Sequence, residues 1–146
     1  MTNDSTPKTA ANTAPSTAPM SPAQARHPYS PVRETPTGLV FVSGQLGVAD
    51  GMLVTGGIEA ETRQAVTNLH ARLASVGLDL RDVVKITVYL TSMDDRNAMD
   101  AVYGDALPGP LPARTCIAVA ELPYQARVEL DAIAVRAATA VRDEPR

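Results

Sequence analysis

Two short runs in the second half of the chain carry residue types suited to chemistry. In Pro112-Ala113-Arg114-Thr115-Cys116-Ile117-Ala118-Val119, an extended backbone turns Arg114, Cys116 and Ala118 to one side and Thr115, Ile117 and Val119 to the other. Arginine among small residues at a strand's start suits a carboxylate, because its planar fork gives two parallel charge-assisted hydrogen bonds. A surface salt bridge is the plainer use of the same residue. In Arg127-Val128-Glu129-Leu130-Asp131, Glu129 and Asp131 share a side, close enough for each to raise the other's pKa. A carboxyl tuned in that way can orient or deprotonate a water; a solvated strand edge is the alternative. Cys116 taken alone reads as a core thiol.

Other chemistries lack their residues. The histidines are His27 and His70, far apart and without a cysteine pair, so no zinc ligand set is expected. No glycine-rich loop ends in Gly-Lys-Ser/Thr, and Gly44-Gln45-Leu46-Gly47 lacks the glycine spacing of a dinucleotide turn. Nucleotide cofactors are therefore not expected. Lys and Arg number 13 against 16 Asp and Glu, a net charge of -3 that gives no general attraction for phosphate backbones. One Phe, four Tyr and no Trp leave little material for stacking bases. Neither nucleic acid nor a membrane is an expected partner. Cys116 is the only cysteine, which excludes an intramolecular disulfide and favours a cytoplasmic address.

The elements that must position these residues can be read from periodicity. Residues 1–26, rich in Thr, Ala, Pro and Ser, lack a signal peptide's apolar stretch and read as a disordered tail. A transit peptide is the competing reading, opposed by a basic content of Lys8 and Arg26 alone and by the lack of an amphipathic period. His27 to Arg33 is expected to be an extended edge strand, because Pro28 and Pro31 remove backbone donors. A turn at Thr35-Pro36-Thr37-Gly38 leads into the strand Leu39 to Ser43, which Gly44 ends or bulges, and Asp50-Gly51 marks another turn.

Ile58, Ala65, Leu69, Leu73 and Val76 recur near the helical period, with Glu59, Glu61, Arg63 and Arg72 available for the wet face and Gly77 at the C-cap. Val84, Ile86, Val88 and Leu90 alternate with Lys85, Thr87 and Tyr89, the period of a strand with one buried face. Asp94 or Asp95 can cap a second helix that runs to about Leu107, where Pro108-Gly109-Pro110 breaks it. Strands Ala113 to Ala120 and Arg127 to Arg136 complete the order. This succession predicts one α+β domain over 27–137, with two helices on one face of a mixed sheet and a C-terminal tail over 138–146. The uncovered face must be solvated or buried by association, and Ile133-Ala134-Val135 favours association.

The two chemical runs, with Leu122-Pro123 between them and Val128-Glu129-Leu130-Asp131-Ala132-Ile133-Ala134 at the end, resemble the signature of the reactive-intermediate deaminase (Rid, YjgF-type) family. The likeness extends from about Pro28 to Arg136, through Pro28-Tyr29-Ser30, Val42-Ser43-Gly44-Gln45, Val84-Lys85-Ile86-Thr87-Val88-Tyr89-Leu90 and Met99-Asp100-Ala101-Val102-Tyr103. The resemblance implies a chorismate-mutase-like fold, a homotrimer with clefts between subunits, and cofactor-independent hydrolysis of 2-imino acids to 2-keto acids and ammonia. It assigns Arg114 to the substrate carboxylate and Glu129 to the water. Cys116 lies beside the substrate through its backbone, without a thiolate role. Tyr29 forms one wall and Ser43 a polar contact, expected on opposite sides of a subunit boundary.

Several positions depart from the family pattern. Asp100 stands where typical members carry an asparagine that contributes to the site; an acid there either repels a carboxylate substrate or points away as a solvated helix residue, and the second is the expectation. His27 replaces a frequent glycine and Tyr124 a frequent lysine, and the run from Tyr103 to Arg114 is short and stiffened by Pro108, Pro110 and Pro112. The same trimer could instead act as a holdase-like interaction protein or as a related catabolic hydrolase of another small substrate. Endoribonuclease activity, attributed to relatives, is opposed by the acidic balance.

Overall fold

Alternating residues build the sheet and helically spaced residues build the layer that covers it. The computed structural model describes residues 28–137; the expected tails over 1–26 and 138–146, together with His27, lie outside the described residues. Strand β1 (Val32–Glu34) pairs antiparallel with β2 (Leu39–Leu46). The edge strand thus starts later than expected, after Pro31, whose ring leaves no N–H for a ladder. Gly38 supplies the left-handed residue of the intervening turn (φ 84°), and the Thr35 N–H donates to the Leu39 carbonyl at 2.8 Å. Asp50 and Gly51 turn the small hairpin of β3 (Val48–Ala49) and β4 (Met52–Leu53), both at positive φ as a type I′ turn requires.

Helix α1 (Gly57–Ala74) buries Ile58, Ala65, Leu69 and Leu73 as their spacing predicts. It ends in a glycine motif: Gly77 adopts φ 72°, and the Leu78 N–H reaches back to the Leu73 carbonyl at 3.0 Å. Glu61, expected on the wet face, is instead 3% exposed. Its Oε2 accepts the Arg127 backbone N–H at 2.7 Å. The carboxylate therefore satisfies a donor in the loop that leads to the last strand, a contact 66 residues away in sequence and invisible to helical period.

Strand β5 (Val83–Leu90) buries Ile86, Val88 and Leu90, but Val84, expected with them, is exposed and Val83 is buried. A register shift against the neighbouring strand between Val83 and Lys85 reverses the phase there. Helix α2 (Arg96–Ala106) follows a single 3-10 turn at Met93–Asp95. Ser92 makes the cap, its hydroxyl accepting the Asp94 N–H at 3.2 Å. Asp95, an expected cap, instead grips Arg127 with both oxygens, at 2.9 and 2.6 Å from Nε and Nη2. Strands β6 (Ala113–Ala118) and β7 (Val128–Val135) are each two residues shorter than expected.

The main sheet has the order β1-β2-β7-β5-β6, with β5 and β6 parallel and every other pair antiparallel. Both helices pack on one face, over Val40, Val42, Ile86, Val88, Leu130 and Ala132, as the sequence predicts. The opposite face carries no layer among the described residues, and Phe41 and Ile117 on it are each 42% exposed. Replacing Glu61 with Ala is expected to cost about 1–3 kcal/mol, since it leaves the Arg127 N–H without its acceptor. Urea denaturation of the variant measures that loss.

Candidate active site

The sheet divides the predicted site residues into two groups. Arg114 and Cys116 lie on the helix side: Arg114 Nη1 donates to Asp100 Oδ1 at 2.5 Å, its guanidinium stacks 4.9 Å from the centre of the Tyr103 ring, and Cys116 packs against the core. Glu129 and Asp131 occupy the alternate, uncovered side of β7, between the buried residues Val128, Leu130 and Ala132. No single chain therefore brings Arg114 and Glu129 onto one small molecule through its own sheet.

Glu129 sits in a hollow of about 730 Å³ shared with Tyr29, Phe41, Ser43, Tyr124 and Asp131. The hollow exists because β2 is bulged. Its register against β7 shifts between Val42 and Gln45, so the buried positions pass from Val40 and Val42 to Gln45. Gly44 is the consequence: a Cβ added there would lie 1.6 Å from Glu129 Oε1, so only glycine leaves room for the carboxyl. Burial first and the neighbouring Asp131 second push the Glu129 pKa up. Asp131 in turn accepts the Tyr89 hydroxyl at 2.7 Å, a bond that raises the tyrosine's pKa because ionisation would break it.

Ser43 donates its hydroxyl proton to the Ser30 carbonyl at 2.8 Å, which leaves its lone pairs for a donor. Tyr29 and Ser43 line the same hollow of one chain. Asp100, expected in solvent, faces Arg114 and is also 3.6 Å from Arg96 Nε. That hydrogen bond raises the Arg114 pKa, burial opposing it. Beneath the guanidinium, the Tyr103 hydroxyl is buried without a hydrogen-bond partner among the described residues, and burial lifts its pKa.

The backbone adds one more group. Val119 N–H donates to the Leu90 carbonyl at 2.8 Å, so alternation turns the peptides of Ile117 and Thr115 towards β5 and those of Cys116 and Arg114 to the outer edge of the sheet. Cys116 thus offers its N–H at an edge with no strand beside it among the described residues. Phe41 carries no site signal in the sequence; Tyr124, a departure from the family pattern, enters the hollow while holding an unusual positive φ of 61°. Among the described residues no three His, Cys, Asp or Glu side chains stand together as a metal site.

Residues 19–136 match the family described as Endoribonuclease L-PSP. The chain is 41% identical over 100 residues to mmf2 of Schizosaccharomyces pombe, a protein named as mitochondrial, covering 66% of this chain and 79% of the relative. It is 42% identical over 99 residues to the 2-iminobutanoate/2-iminopropanoate deaminase of Mus musculus, covering 66% and 73%. RidA from an Antarctic Psychrobacter superimposes with a TM-score of 0.72 at 33% identity, over 77% of this chain and 91% of that one.

Two predictions follow the geometry of Glu129. Its folded pKa lies above the unfolded one, so the folded state binds the extra proton and stability falls as pH rises through that interval. Glu129→Gln removes the charged form, and urea midpoints should place it above the parent at neutral pH, with the gap closing below the ordinary glutamate range. Gly44→Ala should expel the carboxyl, and side-chain carbon NMR should then find the Glu129 titration shifted back towards that range.

Proposed function

The chain belongs to the Rid family, described as Endoribonuclease L-PSP, and from that premise we propose that it hydrolyses small reactive imines to carbonyl compounds and ammonia. Water adds to the C=N carbon, protons pass to the nitrogen, and the C–N bond breaks as C=O forms. An imine carbon is already electrophilic, so holding the substrate and aiming a water supply most of what the reaction needs. No cofactor enters these steps. The substrates proposed are 2-imino acids, which yield 2-keto acids.

The carrying observation is Glu129: a carboxyl with raised pKa, seated on Gly44 in a hollow with Tyr29 and Ser43. Such a group can take a proton from the attacking water and return it to the departing nitrogen. Arg114 is the anchor for the substrate head, Cys116 contributes its edge N–H to the imine nitrogen or the water, and Tyr29 and Ser43 complete the wall. Because Arg114 and Glu129 occupy opposite faces of one sheet, the working site joins the β6 side of one protomer to the hollow of its neighbour. A homotrimer provides that closure with equivalent sites, and it also covers the apolar residues Phe41 and Ile117. A reducing compartment such as the cytoplasm suits the lone Cys116. RNA fits the hollow poorly, since Glu129 and Asp131 line it and, among the described residues, no Lys or Arg does.

Imino acids generated in situ by an amino acid oxidase, with semicarbazide trapping the survivors, provide the assay. Glu129→Gln should lower kcat by about 10²–10⁴-fold, and Arg114→Ala should lower kcat/KM with the oligomer intact. Mixing and reassembling these two inactive variants should restore activity at about a quarter of the sites, where an intact arginine meets an intact glutamate. Activity confined to one chain would leave the mixture dead.

A further inference from the structure

Arg114 already holds an anion supplied by its own chain. Asp100 Oδ1 accepts from Nη1 at 2.5 Å, and the pair is partly buried, at 22% exposure for the arginine side chain and 35% for the aspartate. The geometry is fixed from a second direction by the Tyr103 ring, 4.9 Å from the guanidinium carbon. An internal carboxylate in this place changes what the guanidinium can recognise. The charge that would attract a substrate anion is balanced by Asp100, and an incoming carboxylate would approach a like charge within a few ångströms of its seat.

Hydrogen-bonding capacity is not exhausted in the same way. Asp100 occupies Nη1, whereas a guanidinium has five N–H donors, so Arg114 keeps donors for a carbonyl oxygen. A neutral carbonyl can take such a bond without repulsion from Asp100. The other half of the proposed site reinforces the bias, because Glu129 and Asp131 line its hollow with no Lys or Arg among the described lining residues. The Arg96 guanidinium also approaches Asp100, at 3.6 Å, but it is 51% exposed and water screens its charge more than that of Arg114.

We propose that Asp100 is a specificity-determining residue that, by pairing with Arg114, sets the site for imines whose head group is an uncharged carbonyl, such as an amide or ester, in preference to a carboxylate. This keeps the imine hydrolysis proposed above but puts an uncharged head in place of the carboxylate, and it rests on the reading that Arg114 holds the substrate head. A 2-imino amide would then lose ammonia from its C=N carbon in the same way, adding one water and yielding the 2-oxo amide.

The probes are 2-oxopropanoate and 2-oxopropanamide, product analogues that differ in the head group alone. Their dissociation constants are measured on the full oligomeric chain by titration calorimetry. The unaltered protein should bind the amide at least as tightly as the anion. Asp100→Asn, which keeps the shape and removes the charge, should tighten the anion relative to the amide by about tenfold or more. Asp100→Ser serves as a second uncharged variant, and thermal unfolding checks that both fold. The inference is overturned by an anion preference in the unaltered protein, by an unchanged ratio in folded Asp100 variants, or by failure of both probes to bind. Arg114→Ala separates the two levels of argument. If it abolishes binding of both probes while Asp100→Asn leaves their ratio alone, only the role of Asp100 falls; if both probes bind Arg114→Ala as before, the anchoring reading falls with it.

Discussion

A strand shows successive side chains to opposite faces, and this alternation governs everything proposed for the molecule. Arg114 and Cys116 share their face with the core under the helices, while Glu129 and Asp131 share theirs with Phe41 and Ile133 on the uncovered side. The thickness of a sheet lies between the guanidinium and the carboxyl. A reaction needing both must draw them from two copies, so catalysis and assembly become a single requirement under the proposed function. The same constraint explains the exposed apolar residues of the uncovered face, which a neighbouring copy would remove from water.

The second theme is the division of labour among the carboxylates. Glu61 and Asp95 are buried and each is committed to Arg127, one to its backbone and the other to its guanidinium, so they anchor the start of β7. Breaking such pairs leaves a buried group without its partner, a cost that makes them structural elements. Asp131 is occupied by the Tyr89 hydroxyl. Glu129 differs in having a pKa raised by burial and by the neighbouring Asp131, and a floor of glycine backbone where β2 is bulged. Asp100 belongs to neither set: it neutralises the very arginine that the family pattern would offer to a substrate, and so bears on which substrate is accepted.

Much of the fold was legible because one-sided burial imposes a period that survives in the sequence. The strands around Val40, Ile86 and Leu130 and the helix through Ala65, Leu69 and Leu73 stand where their spacing predicts. Periodicity misplaces a residue where the period breaks or where its polar partner is remote. Alternation puts Val84 in the core, yet it is exposed, because a register shift changes phase beside it. Glu61 was placed in water, since the N–H it serves comes from a loop 66 residues on. For Asp100 the sequence predicts a solvated position, and only the tertiary fold brings it to Arg114 at the start of β6.

By itself the sequence determined which side chains share a face, the helical and extended segments, and the family signature through Arg114 and Glu129, since these depend on local periodicity and on residue identity. Tertiary structure alone decided which charges meet, where the bulge opens room for Glu129 beside Gly44, and that Arg114 and Glu129 lie on opposite faces of the sheet. The physical reason is that hydrogen bonds and ion pairs between distant segments are selected by the packing of whole elements, and a period of two or of 3.6 residues carries no record of them.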